Sequence, residues 1–189
     1  ARGTGGREEV RRKGRGRGGV MDVTSGCQKA PIPWPDGSSA VVVAVSANGK
    51  QLFVGTNGAT VFVFNAATRA LADQIPVGGA SNGFALSPDN KFMFVSSFTA
   101  GTVTEFVVKT HAVVQTFAPG GAPQGLVTNK HGTELYVVNE SAFVSLFDIA
   151  SGVLITTLPL TAGGFGSAVT PDATPRTPTT PNPGTLPIG

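Results

Sequence analysis

The residues able to do chemistry in this chain are few, and most of them stand alone. Glu105 lies in TVTEFV, where comparable runs elsewhere carry Val63 and Leu146. By that comparison it is an inward-pointing strand carboxylate. Burial disfavours the charged form of such a group and raises its pKa, which is what a general acid requires. The competing reading puts this strand near the outer side of its sheet, with Glu105 reaching water or a lysine. His111 and His131 fall in turn-like segments, and two imidazoles brought together could begin a metal site. Metal sites usually need a third ligand, and no matching turn supplies one, so solvated turn histidines are expected and no metal is assigned. Asp89 and Asp172, with Asn48 in the same column, suit Asx turns, in which the side chain caps the turn's own backbone. Calcium would need several oxygens converging on one point. Cys27 is the single cysteine, which rules out an intrachain disulfide. No nucleophilic triad can be assembled, so the sequence assigns neither a catalytic residue nor a cofactor.

These residues are positioned by a unit written three times between Val43 and Gly166. The first copy reads VAVSANGKQLFVGT and then TVFVFNAATRALADQIPVGG. The second reads FALSPDNKFMFVSS and then TVTEFVVKTHAVVQTFAPGG, and the third LVTNKHGTELYVVN and then FVSLFDIASGVLITTLPL. Equivalent positions recur at steps of 41 or 42, as in Phe64, Phe106 and Phe147. Each copy divides into four strand candidates rich in Val, Phe and Ile. In the first copy they are Val41–Ser46, Gln51–Gly55, Thr60–Asn65 and Ala70–Val77, separated by turn signals such as Asn48-Gly49 and Asn57-Gly58. No stretch has helical spacing. Four antiparallel strands per copy is the content of one propeller blade. The expected fold is therefore all-β: a partial β-propeller of three four-stranded antiparallel blades, over about residues 43–83, 84–125 and 126–166, plus remnants of neighbouring blades.

This architecture sorts the turns onto two rims. The turns between strands one and two, and between three and four, share one rim and carry His131 and His111. The turns between strands two and three, with the links joining successive blades, gather at the opposite rim around the central channel. They offer Asn57, Asn82, Ser97, Gln124, Asn139 and Glu140 as candidate ligand-binding residues. Polar loop tips held by a rigid scaffold often bind ligands, although any solvated loop contains such residues.

Composition agrees with short strands and many tight turns: only 13% of residues are charged, against 26 Gly and 14 Pro. The net charge of +3 is unevenly placed, because residues 1–20 alone carry an excess of +5. The span from Val43 to Asp172 has five basic and seven acidic residues. Residues 1–29 are expected to be a disordered Gly/Arg-rich tail, whose Arg15–Gly19 run could hold nucleic-acid phosphates but lacks aromatics for stacking. Residues 30–172 form the expected propeller segment. Within it, Trp34–Gly37 aligns with Ile75–Gly78 as the worn end of an earlier copy, with prolines that suit only an edge strand. A fourth copy begins at Ala168–Asp172 and then gives way to a Pro/Thr-rich tail, residues 173–189, expected to be disordered. That tail reads equally as a natural linker or as the product of a truncated or frame-shifted coding sequence. No run approaches the ~18 apolar residues that span a membrane, and no signal peptide is visible.

The unit resembles the YVTN-type β-propeller repeat in VAVSANGKQLFVGT, ALSPDNKFMFVSS, ELYVVN, FVSLFDIASG and IPVGG. The resemblance implies a propeller, commonly seven-bladed, and a secreted, periplasmic or cell-surface location. The same class includes relatives of propeller lactonases and of haem d1 nitrite reductase domains, whose activities depend on residues outside the repeat. The expected function is a non-enzymatic binding or surface-display module. Its partner would be a protein, a glycan or a small ligand at the blade-top loops, with further copies of the chain completing the ring. The alternatives are a fragment of a lactonase-like propeller enzyme and nucleic-acid binding through the basic tail.

Overall fold

The computed structural model describes residues 8–12, 17–22, 27–33 and 35–164. Three four-stranded antiparallel meanders follow one another along the chain after a three-stranded sheet. The N-terminal sheet comprises β1 (Glu8–Arg12), β2 (Arg17–Asp22) and β3 (Gln28–Pro33). The first blade is β4 (Ala40–Val45), β5 (Gln51–Thr56), β6 (Thr60–Asn65) and β7 (Leu71–Pro76). The second is β8 (Ser81–Leu86), β9 (Phe92–Ser97), β10 (Thr102–Val107) and β11 (Val113–Phe117). The third is β12 (Pro123–Thr128), β13 (Glu134–Asn139), β14 (Phe143–Asp148) and β15 (Leu154–Pro159). In the first copy the strand ends lie within a residue of those expected from sequence. Among the described residues no helix is long and apolar enough to cross a membrane.

The first and second blades each bury both faces, which explains the near-continuous apolar runs in their second and third strands. Successive side chains alternate between faces. Phe53, Val61, Val63 and Ile75 of the first blade thus meet Met93, Val95, Phe106 and Val108 of the second. The second blade's other face sends Phe94, Val103 and Phe117 against Leu126, Leu135, Val137 and Phe147 of the third. Leu52, Val54, Phe62 and Phe64 turn the opposite way and enclose Ile32 of β3.

The turns recur as faithfully as the strands. The first turn of each blade closes on a positive-φ residue: Gly49, Asn90 and Gly132. The third closes on Arg69, His111 and Gly152, at φ of 61°, 60° and 70°. Asx capping of the first turn is as the sequence suggests. Asn48 Oδ1 accepts the Lys50 amide at 2.9 Å, and Asp89 Oδ1 accepts the Lys91 amide at 3.1 Å. Each blade also carries a bulge where its third strand meets its fourth, at Val63/Phe64, Glu105/Phe106 and Leu146/Phe147.

The N-terminal segment differs from its expectation. Residues 8–12 and 17–22, placed by composition in a disordered tail, form β1 and β2 in a paired ladder with Val10 opposite Val20. A ladder is a backbone structure, and glycine and arginine supply its N–H and C=O groups as well as any residue does. The sheet also ends in β3, whose Ile32 is only 3% exposed. Pro31 and Pro33 lie in β3, an edge strand, whereas Pro35 of the segment aligned with Ile75–Gly78 falls in the turn that follows. Trp34, the fourth copy at Ala168–Asp172 and the tail 173–189 lie outside the described residues.

Candidate functional site

The channel-side rim is built by the first strands and by the turns after the second. Asn82 of β8 and Gln124 of β12 occupy equivalent places in adjacent blades. Asn82 Nδ2 donates to Gln124 Oε1 at 2.8 Å, and Gln124 Nε2 donates to Glu140 Oε2 at 3.3 Å. The line crosses the boundary between the second and third blades and ends on an exposed carboxylate. It exists because the two first strands come very close. A Cβ on Gly83 would lie 2.1 Å from the Gln124 carbonyl oxygen, so only glycine admits the approach. Ser96 Oγ donates across the same gap to that carbonyl at 3.0 Å.

The other predicted rim residues take different places. Asn57 Oδ1 accepts the Ser39 amide at 2.9 Å and ties its turn to the segment entering the first blade. Asn139 is buried, with Nδ2 donating to Val137 O and to Ser145 Oγ. Ser97 is also buried, opposite Ser81 in the ladder. Among the described residues Ser81 Oγ, Ser97 Oγ and Asn139 Oδ1 find no hydrogen-bond partner. Of the six candidates, the structure joins half-buried Asn82, buried Gln124 and exposed Glu140 into one hydrogen-bonded line and leaves the other three out of it.

On the opposite rim Glu105 is a buried strand carboxylate, as the first sequence reading has it, and does not reach the water or lysine of the second. It is 2% exposed and reaches no lysine. Gln115 Nε2 donates to Glu105 Oε2 and to Ile149 O, each at 2.7 Å, which uses both protons of the amide. Burial pushes the Glu105 carboxyl above the usual carboxylate range, and the Gln115 bond offsets part of that rise. Glu105 lines a cavity of about 200 Å³ between the second and third blades, together with Asp89, His131 and Ile149.

His111 is not the solvated turn histidine expected from sequence. Its Nδ1 lies 2.6 Å from Asp73 Oδ2 and its Nε2 lies 3.0 Å from Gln51 Nε2. The carboxylate must accept and the amide must donate, so the contacts fit an imidazole with its proton on Nδ1. The ring also makes a T-shaped contact with Phe53, at 6.3 Å between centroids. Asp73 and Gln51 belong to the first blade, so His111 fastens the second blade to it. The His111 bond, aided by the Gln74 amide, holds the Asp73 carboxyl below its ordinary value. No group of three His, Cys, Asp or Glu side chains able to hold a metal occurs among the described residues.

Sequence reasoning missed Asp73 and Gln115, the partners of His111 and Glu105. The signal was present: the two residues are 42 apart, in equivalent fourth strands, and each is polar. What was missing was the knowledge of which column of one blade meets which column of the next.

The fold is that of a WD40-like β-propeller, with three four-stranded blades in an unclosed array. The chain is similar in structure to the hydrazine synthase of Kuenenia stuttgartiensis, with a TM-score of 0.62 and 18% identity over 66% of this chain and 37% of that one. It is also similar to the WD40 repeats of RRP9, with a TM-score of 0.66 and 14% identity over 71% of this chain and 43% of the other. The chain therefore spans less than half the length of either. No protein-family profile and no curated protein sequence matches it. Likeness at these identities carries the fold alone, since such scaffolds host many unrelated activities.

Proposed function

We propose that this chain is a non-enzymatic binding module built of YVTN-like blades, working in a secreted, periplasmic or cell-surface setting, and that it binds through its channel-side rim. The observation that supports this reading is the hydrogen-bonded line Asn82–Gln124–Glu140, which runs across two blades to an exposed carboxylate. A line of amides ending in a carboxylate presents donors, acceptors and one negative charge at fixed spacing. That suits the backbone and a basic side chain of a protein segment better than it suits an apolar ligand. The rigidity comes from Gly83 and Ser96, which lock the two first strands together, so the rim meets its ligand preorganised.

The test is a peptide-display selection on the full chain, followed by affinity measurement on variants. Peptides bearing Lys or Arg should dominate the selection. Gln124→Ala, which breaks both links of the line, should weaken them by about tenfold or more, and Glu140→Gln by a similar factor. Glu105→Gln, on the opposite rim, should leave binding unchanged. Binders indifferent to Gln124 and Glu140 would overturn the reading.

A further inference from the structure

We propose that a second site lies on the opposite rim, in the cleft between the first and second blades, and that it binds a small organic anion with an apolar body. The cleft has a volume of about 730 Å³, within the range of pockets that enclose small molecules. Its lining includes Val108, which belongs to the core between these two blades, together with Val107 and with Phe92, which also packs toward the third blade. Its mouth carries Lys50, Lys91 and Lys109. Only four lysines occur between Val43 and Asp172, so three of the four converge on this cleft in a segment whose net charge is negative.

None of the cleft's lining residues is acidic. Lys91 pairs with Asp89 just outside it, at 3.0 Å, through side chains that are 72% and 49% exposed. Lys50 and Lys109 have no carboxylate partner among the described residues, and both are exposed. Two ammonium groups without counter-charges beside a lining that includes apolar side chains match a ligand with a compact anionic head and a hydrophobic body. Carboxylate, sulfonate and phosphate monoester heads share that chemistry. The equivalent cleft between the second and third blades lacks it, being lined by Glu105, Asp89 and His131.

Fluorine NMR on the full chain tests the proposal, with 4-(trifluoromethyl)benzoate as probe and the neutral 4-(trifluoromethyl)benzamide as charge control. The benzoate should bind at millimolar concentration or below, and about tenfold more tightly than the amide. The double variant Lys50→Gln/Lys109→Gln should abolish that preference, while Asn82→Ala on the other rim should preserve it. Both lysines are exposed, so the double variant should keep the wild-type melting temperature, which shows that the fold survives. Inorganic phosphate should compete at least tenfold less well than the benzoate, because it has no body to bury. Equal binding of benzoate and amide, an undiminished preference in the double variant, or equal competition by inorganic phosphate would overturn the proposal.

Discussion

The two boundaries between complete blades use the same backbone columns and opposite chemistry. At the first, Asp73 of β7 reaches across to His111 in the closing turn of the next blade. At the second, Gln115 stands in the column of Asp73, and Gly152 stands in the column of His111. Gln115 therefore has no side chain to meet, and it turns its amide to the Ile149 carbonyl and to Glu105. Val63 fills the Glu105 column at the first boundary, and that cleft is basic where the second is acidic. Repetition has thus fixed strand lengths, bulges and turn dihedrals, while polar residues in a few columns give each boundary its own character. The apolar contacts across the two are alike in kind.

The comparison breaks most readily at Gly152. A Cβ there would lie 2.7 Å from Gln115 Oε1, and φ is already in the left-handed region. Gly152→His, which copies the first boundary's residue onto the second, should cost about 2 kcal/mol by urea denaturation. Adding Gln115→Asp, to transplant the whole pair, should recover a measurable part of that loss. If the double variant is no more stable than the single, the two columns are not interchangeable parts.

A smaller effect, of opposite sign, is expected at Glu105. The raised pKa means that between the ordinary carboxylate value and the folded one the native state holds more protons than the unfolded state, so stability falls as pH rises through that window. Glu105→Leu, which restores the residue type of Leu146, should stabilise the protein by about 1 kcal/mol at neutral pH. The gain should shrink in acid. Urea midpoints at pH 4 and pH 7 would show it, and a gain independent of pH would mean that packing rather than charge is responsible.

Asp73→Asn should have the smallest effect. The Asp73 side chain is 46% exposed, so solvent screens its pairing with His111, and the loss should stay below about 1 kcal/mol. The lowered Asp73 pKa contributes stability above the unfolded value and forfeits it as pH falls through the folded one. The wild-type advantage over Asp73→Asn should therefore vanish at a pH below the ordinary carboxylate range. Thermal melts between pH 2 and pH 6 would measure it, and a difference that persisted in acid would assign the effect to hydrogen-bond geometry alone.

The blades were legible in the sequence because their signals are local. Alternating Val and Phe, the Asn-Gly and Asp-Asn turns and a fixed step place Gln51–Thr56 or Thr60–Asn65 without any knowledge of neighbours. Glu105 was visible as a departure from its column for the same reason. Its partner was not, because Gln115 is a surface-type residue in a strand with exposed neighbours, and only the fold turns it toward Ile149. His111 looked solvated because its turn is exposed in isolation, and the adjoining blade supplies Asp73 and Gln51. The strands before residue 23 escaped notice because composition reports side-chain burial, whereas pairing depends on the backbone.

The bulge between the third and fourth strands occurs at the same column in all three blades. A feature that recurs in every copy is a property of the blade as a unit and does not depend on which neighbour it meets. Glu105, His111 and Lys109 each occur in one copy only and flank that bend. The bulge thus acts as a constant bracket: it bends the strand alike in every blade, and the side chain set beside it can differ without moving the backbone.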